Sequence, residues 1–172
     1  MAMASTTYID SGTTSAAGGA YVFYGTAGAL STSVSLSISA ADASFTGGAA
    51  NDGLGSASAG AGDVNGDGYD DLVLGAYGAD HGGTSYVGCA YLLYGGSTRL
   101  SGATSVTSAA AATMCGEAEG GLFGRTLGGA DVNGDGYSDV YAGASEVHNG
   151  TAINAGAMYV FYGPLSGSVS AT

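Results

Sequence analysis

DVNGDGYDDLVLGA, residues 63–76, returns almost unchanged as DVNGDGYSDVYAGA at residues 131–144. In each copy the oxygen-bearing side chains fall on alternate residues: Asp63, Asn65 and Asp67, then Asp131, Asn133 and Asp135. Gly68 and Gly136 follow the third oxygen, and a further acid, Asp71 or Asp139, comes four residues after it. Calcium is a hard cation that takes about six to eight oxygens in a flexible cage. Alternating Asp, Asn and Asp in a tight loop supplies three of them. The glycine permits the sharp turn that carries the backbone round the ion. The carbonyl of Tyr69 or Tyr137 then turns inward, and Asp71 or Asp139 closes the cage. Without a cation the three carboxylates crowded into each loop would repel one another. The pattern therefore reads as two Ca2+ sites per chain rather than as two Asx-rich turns.

Two familiar calcium loops do not fit. An EF-hand places a bidentate Glu at the twelfth loop position; here that position is Leu74 in one copy and Ala142 in the other. EF-hand flanks are helical, whereas DLVLGA and DVYAGA are short apolar runs that read as buried strands. Dockerin-like loops fail for the same reason. These loops feed β-strands.

The repeat extends well beyond the loop. YVFYG at residues 21–25 recurs as YLLYG at 91–95 and as YVFYG at 159–163. Leu54-Gly55 before the first loop corresponds to Phe123-Gly124 before the second. One period is about 69 residues, and the chain holds roughly two and a half. Each period reads as four strands. The first spans 54–62 and 123–130, the second 71–76 and 139–144, and the third 89–94 and 157–162. The fourth is placed at 105–108, with VSLSIS at 34–39 as its earlier counterpart because it alternates in period two. The third strand is apolar on both faces, as expected of a strand with sheets packed on either side. Tyr8-Ile9 reads as the remnant of a second strand, and Val169 as the start of a fourth. The expected divisions are a partial blade of outer strands at 1–45, a full blade with its loop at 46–113, and a second at 114–172 with a short or incomplete fourth strand. Four short strands repeated in tandem are the sequence form of a β-propeller blade. The fold class expected is all-β, with blades of four antiparallel strands and about two and a half blades per chain. A parallel β-helix has far shorter repeats.

Composition sets outer bounds. The chain has 172 residues, 34 glycines, one proline, no tryptophan and two cations, Arg99 and Arg125, for a formal charge of −12. So much glycine would suit disorder, but the regularly spaced aromatic and aliphatic clusters oppose it. Two arginines cannot build a basic patch, which argues against nucleic acid and against an anionic membrane surface as partners. Six of the fourteen acids occupy the repeated ligand positions of the two loops, and two bound calcium ions would bring the charge to about −8. Cys89 and Cys115 have no zinc or redox spacing, and their repeat partners are not cysteines. They could pair or stay free, and the reading leans to free thiols. No signal peptide and no stretch of membrane-spanning length is visible.

The stretches 54–76 and 123–144 resemble FG-GAP repeats, the blades of the integrin α-chain propeller and of many bacterial surface proteins. The resemblance rests on Phe123-Gly124, on DVNGDGY and on the closing Gly-Ala. Leu54 stands in for the phenylalanine, and Tyr77 and Ser145 replace the usual proline. It implies a calcium-stabilised propeller acting in adhesion or recognition, with a parent protein that is extracellular, on the cell surface or periplasmic. Integrin propellers have seven blades, so this chain is less than half of one.

The first functional expectation is a non-catalytic structural or adhesion module. Its binding residues would lie in the loops that differ most between copies, 77–88 and 145–156. The alternative is a carbohydrate-binding lectin using Tyr77, Tyr86 and the loop Asp and Asn residues, against which the lack of tryptophan weighs. Partners would be a protein or glycan ligand, and copies of the chain itself. A chain of about two and a half blades cannot close a propeller of four to eight, so a head-to-tail ring of two or three chains is expected. No enzyme motif is found. Glu117 and Glu119 sit in a GEAEGG turn rather than a cleft, and His81 and His148 read as solvated loop residues.

Overall fold

The computed structural model describes residues 2–7, 16–25, 37–148 and 151–171. Three sheets follow one another along the chain. β1 (Ala2–Thr7), β2 (Gly19–Tyr24) and β3 (Ala43–Thr46) form an antiparallel meander. β4 (Leu54–Gly62), β5 (Asp71–Ala76) and β6 (Cys89–Leu93) form the next. The chain then makes β7 (Gly102–Ser105), a four-residue helix α1 (Val106–Ala109) and β8 (Ala112–Cys115). The third meander is β9 (Phe123–Ala130), β10 (Asp139–Ala144) and β11 (Ala157–Phe161), followed by β12 (Gly167–Ser170). The molecule is all-β, built of propeller-type blades as the repeat predicts.

Burial follows from the alternation of side chains along a strand. In β6, Ala90 and Leu92 point into one core with Val64, Val73, Phe123 and Val140. Cys89, Tyr91 and Leu93 point into another with Val22, Phe45, Leu54 and Leu74. The central sheet is thus covered on both faces, which is why YLLYG carries no polar face. The Phe123 ring packs on Tyr159 and Phe161, with centroids 5.6 and 6.0 Å away. Gly55 and Gly124, directly after Leu54 and Phe123, have φ of 86° and 82°, a region that favours glycine over any side chain.

The fourth-strand expectation is corrected. Residues 105–108 hold only the end of β7 before α1 begins. The strand that pairs with β6 is β8. Likewise Ile38–Ala40 is a short 3-10 turn, Val34 lies outside the described residues, and the first sheet's counterpart of β8 is β3. Between the third and fourth strands the chain detours. β7 crosses to the preceding sheet and pairs in parallel with β3 before α1 brings the chain back. β12 does the same on β8, so Val169 belongs to a crossing strand and not to a fourth strand. Burial of Val106 is the physical reason for the helix: it anchors the return leg in the core. Tyr8-Ile9 lies outside the described residues, and the second-strand position of the first sheet is taken by β1. The cysteines are also corrected. Cys89 and Cys115 are register partners across β6 and β8 and form a disulfide.

Candidate metal centre

Each acidic loop joins an inner strand to its neighbour, 63–70 between β4 and β5, and 131–138 between β9 and β10. Eight of the ten sequence-predicted residues lie on these two loops, and the other two, Asp71 and Asp139, open the strands β5 and β10 that follow. Asp63 organises the first. Its Oδ1 accepts from the backbone N–H of Gly66 (2.7 Å) and of Asp67 (3.0 Å), and its Oδ2 from that of Gly68 (2.8 Å). Asn65 Oδ1 accepts from Asp67 N–H (3.0 Å), and Asp67 Oδ1 from Tyr69 N–H (3.0 Å). The side-chain amide of Asn65 donates to Asp67 Oδ2 at 3.0 Å. Gly66 and Gly68, with φ of 77° and 88°, let these amides turn inward. The second loop repeats the same set. Asp131 accepts from Gly134, Asp135 and Gly136, Asn133 from Asp135, and Asp135 from Tyr137.

The closing acids tie each loop to the sheet. Asp71 Oδ2 accepts from Val64 N–H at 2.9 Å and its Oδ1 from Gly95 N–H at 2.8 Å. Asp139 does the same with Val132 and Gly163, at 2.9 and 3.0 Å. Both carboxylates are buried. Burial pushes the Asp71 carboxyl above its ordinary range; the N–H groups of Gly95 and Val64 pull it back, and Asp67 and Asp63 push it up again.

The donor set fits a hard divalent cation. Every side-chain ligand candidate offers oxygen, and carboxylate oxygens that accept one N–H retain a further lone pair. Among the described residues no cation faces the loops. Arg125 pairs with Glu146 at 3.7 Å and lies 5.2 Å from the Tyr77 ring centroid, and Arg99 lies 4.7 Å from that of Tyr24. Asp63, Asn65, Asp67, Asp71 and the Tyr69 carbonyl are the groups that would hold a calcium ion in the first loop. Asp131, Asn133, Asp135, Asp139 and the Tyr137 carbonyl would do so in the second. Bound there, the ion would offset the repulsion among three carboxylates.

The remaining candidates are placed apart. Glu117 and Glu119 are exposed in a turn. Tyr77 is half-buried beneath Arg125, whereas Tyr86 is exposed. His81 lies within 4.8 Å of the two cysteine sulfurs, but those are bonded to each other and offer no thiolate. His148 Nδ1 accepts from Asn154 N–H at 3.4 Å. Sequence reasoning missed Asp52, a buried carboxylate whose Oδ2 accepts from Ala49 N–H at 2.7 Å. It lies outside the acidic repeat, and nothing in the local sequence marks its burial.

Consecutive blades with an acidic loop between inner strands define a tandem-repeat β-propeller module. Residues 55–88 and 123–161 match the FG-GAP repeat family, and these two segments are FG-GAP repeats. The chain is similar to phosphatidylinositol-glycan-specific phospholipase D of Bos taurus, with 36% identity over 111 residues, 64% of this chain and 13% of the relative. The Homo sapiens and Dictyostelium discoideum proteins of the same name are 35% and 31% identical, over 64% and 59% of this chain. The chain thus spans about an eighth of the curated relatives it matches, 13% of the mammalian proteins and 12% of the Dictyostelium one. No helix among the described residues is long and apolar enough to cross a membrane.

Proposed function

We propose that this chain is a calcium-binding, non-catalytic propeller module that serves adhesion or recognition, holds two Ca2+ ions, and assembles head to tail with copies of itself into a ring of two or three chains. The observation that carries the calcium reading is the duplicated loop. Two sequences 68 residues apart fold into the same hydrogen-bonded turn, each clustering three carboxylates with no cation beside them. A turn made for geometry alone would not need three charges. Assembly is supported by the edge of the third sheet. β11 has no partner on its outer side among the described residues, and Met158, Val160 and Tyr162 are exposed there. Such an edge invites pairing. The Cys89–Cys115 disulfide supports an oxidising compartment, extracellular, cell-surface or periplasmic. The relatives' name refers to a phosphatidylinositol glycan; the shared stretch contains the repeats, and we assign it recognition rather than hydrolysis.

Isothermal titration of calcium into chelator-treated protein tests the metal reading. Two sites are expected, one lost in Asp67→Ala and the other in Asp135→Ala; absence of binding heat and of any calcium-dependent melting shift would overturn it. Light scattering after size exclusion tests the ring: a cooperatively melting monomer of 16.4 kDa would exclude it. A lectin reading draws on exposed Tyr86 in the loop 77–88, and a glycan array separates it from protein recognition.

A further inference from the structure

Cys89 and Cys115 stand directly opposite one another on β6 and β8. Just outside them the Gly116 N–H donates to the Gly88 carbonyl at 3.0 Å. The two cysteines are therefore a pair without ladder bonds of its own, the kind whose side chains lie closest. Both are buried in the core with Leu54, Leu74 and Tyr91. A small hairpin brings His81 to them. The His81 N–H donates to the Thr84 carbonyl and the Thr84 N–H to that of His81, at 3.0 Å each. Gly82 and Gly83 between them have φ of 61° and 84°, as a two-residue turn with both central residues left-handed requires. The Gly88 N–H closes the base of the hairpin on the Ala79 carbonyl at 3.0 Å, one residue before Cys89. One imidazole nitrogen and two sulfurs thus lie within 4.8 Å of one another, the imidazole exposed and the sulfurs buried.

These residues depart from the repeat together. Sixty-eight residues on, His81 and Cys89 give way to Asn149 and Ala157. In the first sheet the same register pair is Gly19 and Thr46. Strand pairing in a blade does not by itself require them.

We propose that His81, Cys89 and Cys115 form a redox-gated zinc site: with the disulfide reduced, the two sulfurs and a ring nitrogen of His81 bind one Zn2+, which holds β6 to β8 in place of the S–S bond. A dithiol supplies the two electrons and two protons that convert the disulfide to two thiols, and is itself oxidised to a disulfide. Zinc then displaces the two thiol protons, because the thiolate is the metal ligand. Thiolate and imidazole suit zinc, whereas the oxygen-lined loops suit calcium. Two thiolates and one divalent ion sum to zero charge, which spares the core an unpaired buried charge. Zinc–sulfur bonds of about 2.3 Å and a zinc–nitrogen bond of about 2.0 Å set tetrahedral ligand atoms roughly 3.5–3.8 Å apart. The ligand atoms already lie within 4.8 Å, so side-chain rotation that parts the two sulfurs completes the set. Water takes the fourth position on the exposed side, at His81. The site rests neither on the calcium reading nor on ring closure.

The test is titration of Co2+ and then Zn2+ into the whole chain in millimolar calcium. It is run on the oxidised chain and on chain reduced with a dithiol that is then removed without oxygen. The reduced chain should develop a thiolate-to-cobalt charge-transfer band that saturates at one ion per chain and is bleached by one equivalent of zinc. The oxidised chain should show no such band. His81→Ala should weaken zinc binding by about tenfold or more, since loss of even an outer-shell partner costs that much. Cys89→Ala with Cys115→Ala should abolish the band, because an ion held by the acidic loops has no thiolate ligand. Zinc should raise the melting temperature of the reduced chain and not that of the oxidised one. If reduction unfolds the chain, one equivalent of zinc should restore cooperative melting, and failure to do so overturns the proposal. So does a cooperatively melting reduced chain without the band. A band that His81→Ala leaves at full affinity overturns it as well, because the thiols then bind the ion without the hairpin.

Discussion

Val64 and Val132 occupy the same position in two copies of one loop, and each donates its N–H to the buried acid that closes it, Asp71 or Asp139. Their fates are opposite. Val64 is 0% exposed between two sheets, and Val132 is 55% exposed. Local sequence and local hydrogen bonding are shared, so the difference comes from outside the loop: the first has a following sheet to sit on, and the second has none among the described residues. A repeat protein stores stability in interfaces between units as well as within them. The same substitution in the two loops therefore measures the interface directly. Val64→Asp buries a charge without a partner and should cost about 3–5 kcal/mol, read as a fall in the urea midpoint. Val132→Asp should stay within about 0.5 kcal/mol. Equal losses would show that the valine serves its own loop and not the neighbouring sheet.

The two sheets also differ in covalent closure. Cys89–Cys115 joins the third and fourth strands of the central sheet across 26 residues, whereas Ala157 stands at the matching place in β11. Closing a loop of that length restricts the unfolded chain, so Cys89→Ala with Cys115→Ala should lower stability by roughly 3 kcal/mol. Denaturant melts under non-reducing conditions check this, and an unchanged midpoint would assign the closure to strand pairing alone. Calcium comes next. With the ion at about one hundred times its dissociation constant, each site contributes about 2.7 kcal/mol through mass action. Asp135→Ala should remove about half of the chelator-sensitive shift in melting temperature. The residual shift belongs to the loop that is wedged between sheets, and Asp67→Ala should remove that half.

Smaller effects separate the copies further. Asp52, before β4, is held above the ordinary carboxylate range by burial and by Asp80, against the N–H groups of Ala49 and Gly48, and it also raises Tyr91, to about 12 after burial of that phenol. A raised folded-state value means that its stabilising contribution is present below the unfolded carboxylate pKa and is lost as pH rises through the folded one. Asp52→Asn should therefore melt higher than the parent at pH 7, with the gap closing toward the unfolded carboxylate value of about 4. A pH-independent gap would trace the effect to something other than this ionisation. The smallest contrast is in the variable loops. Asp80 Oδ1 accepts from Tyr86 N–H at 2.8 Å, while His148 Nδ1, its counterpart, accepts from Asn154 N–H at 3.4 Å. His148→Asp should slow amide exchange at Asn154 and leave global stability within about 0.5 kcal/mol. Unchanged exchange would show that the loop is ordered by other contacts.

The acidic loops and the strands beside them were legible in the residues. DVNGDG and the apolar runs that stop at Gly-Ala set the bounds of β4, β5, β9 and β10, because turn chemistry and two-sided burial both act over a few residues. The crossing strands were not legible. GATS at 102–105 and GSVS at 167–170 are short and largely exposed, and they pair in parallel with strands of the preceding sheet. VSLSIS alternates convincingly, yet Ile38–Ala40 turns instead. Alternation describes a face; it does not say which neighbour that face will have.

The sequence by itself determined the all-β class, the period of about 69 residues, the two oxygen-lined loops and their strands. Each of these follows from side-chain period, glycine conformation and charge clustering within one unit. Only the tertiary structure decided that Cys89 meets Cys115, that each of the first two blades receives a parallel strand from the next, and that one valine of an identical pair is buried. Those are relations between residues far apart in the chain. They depend on which sheet lies beside which, and two identical loops can differ in burial only because their neighbours differ.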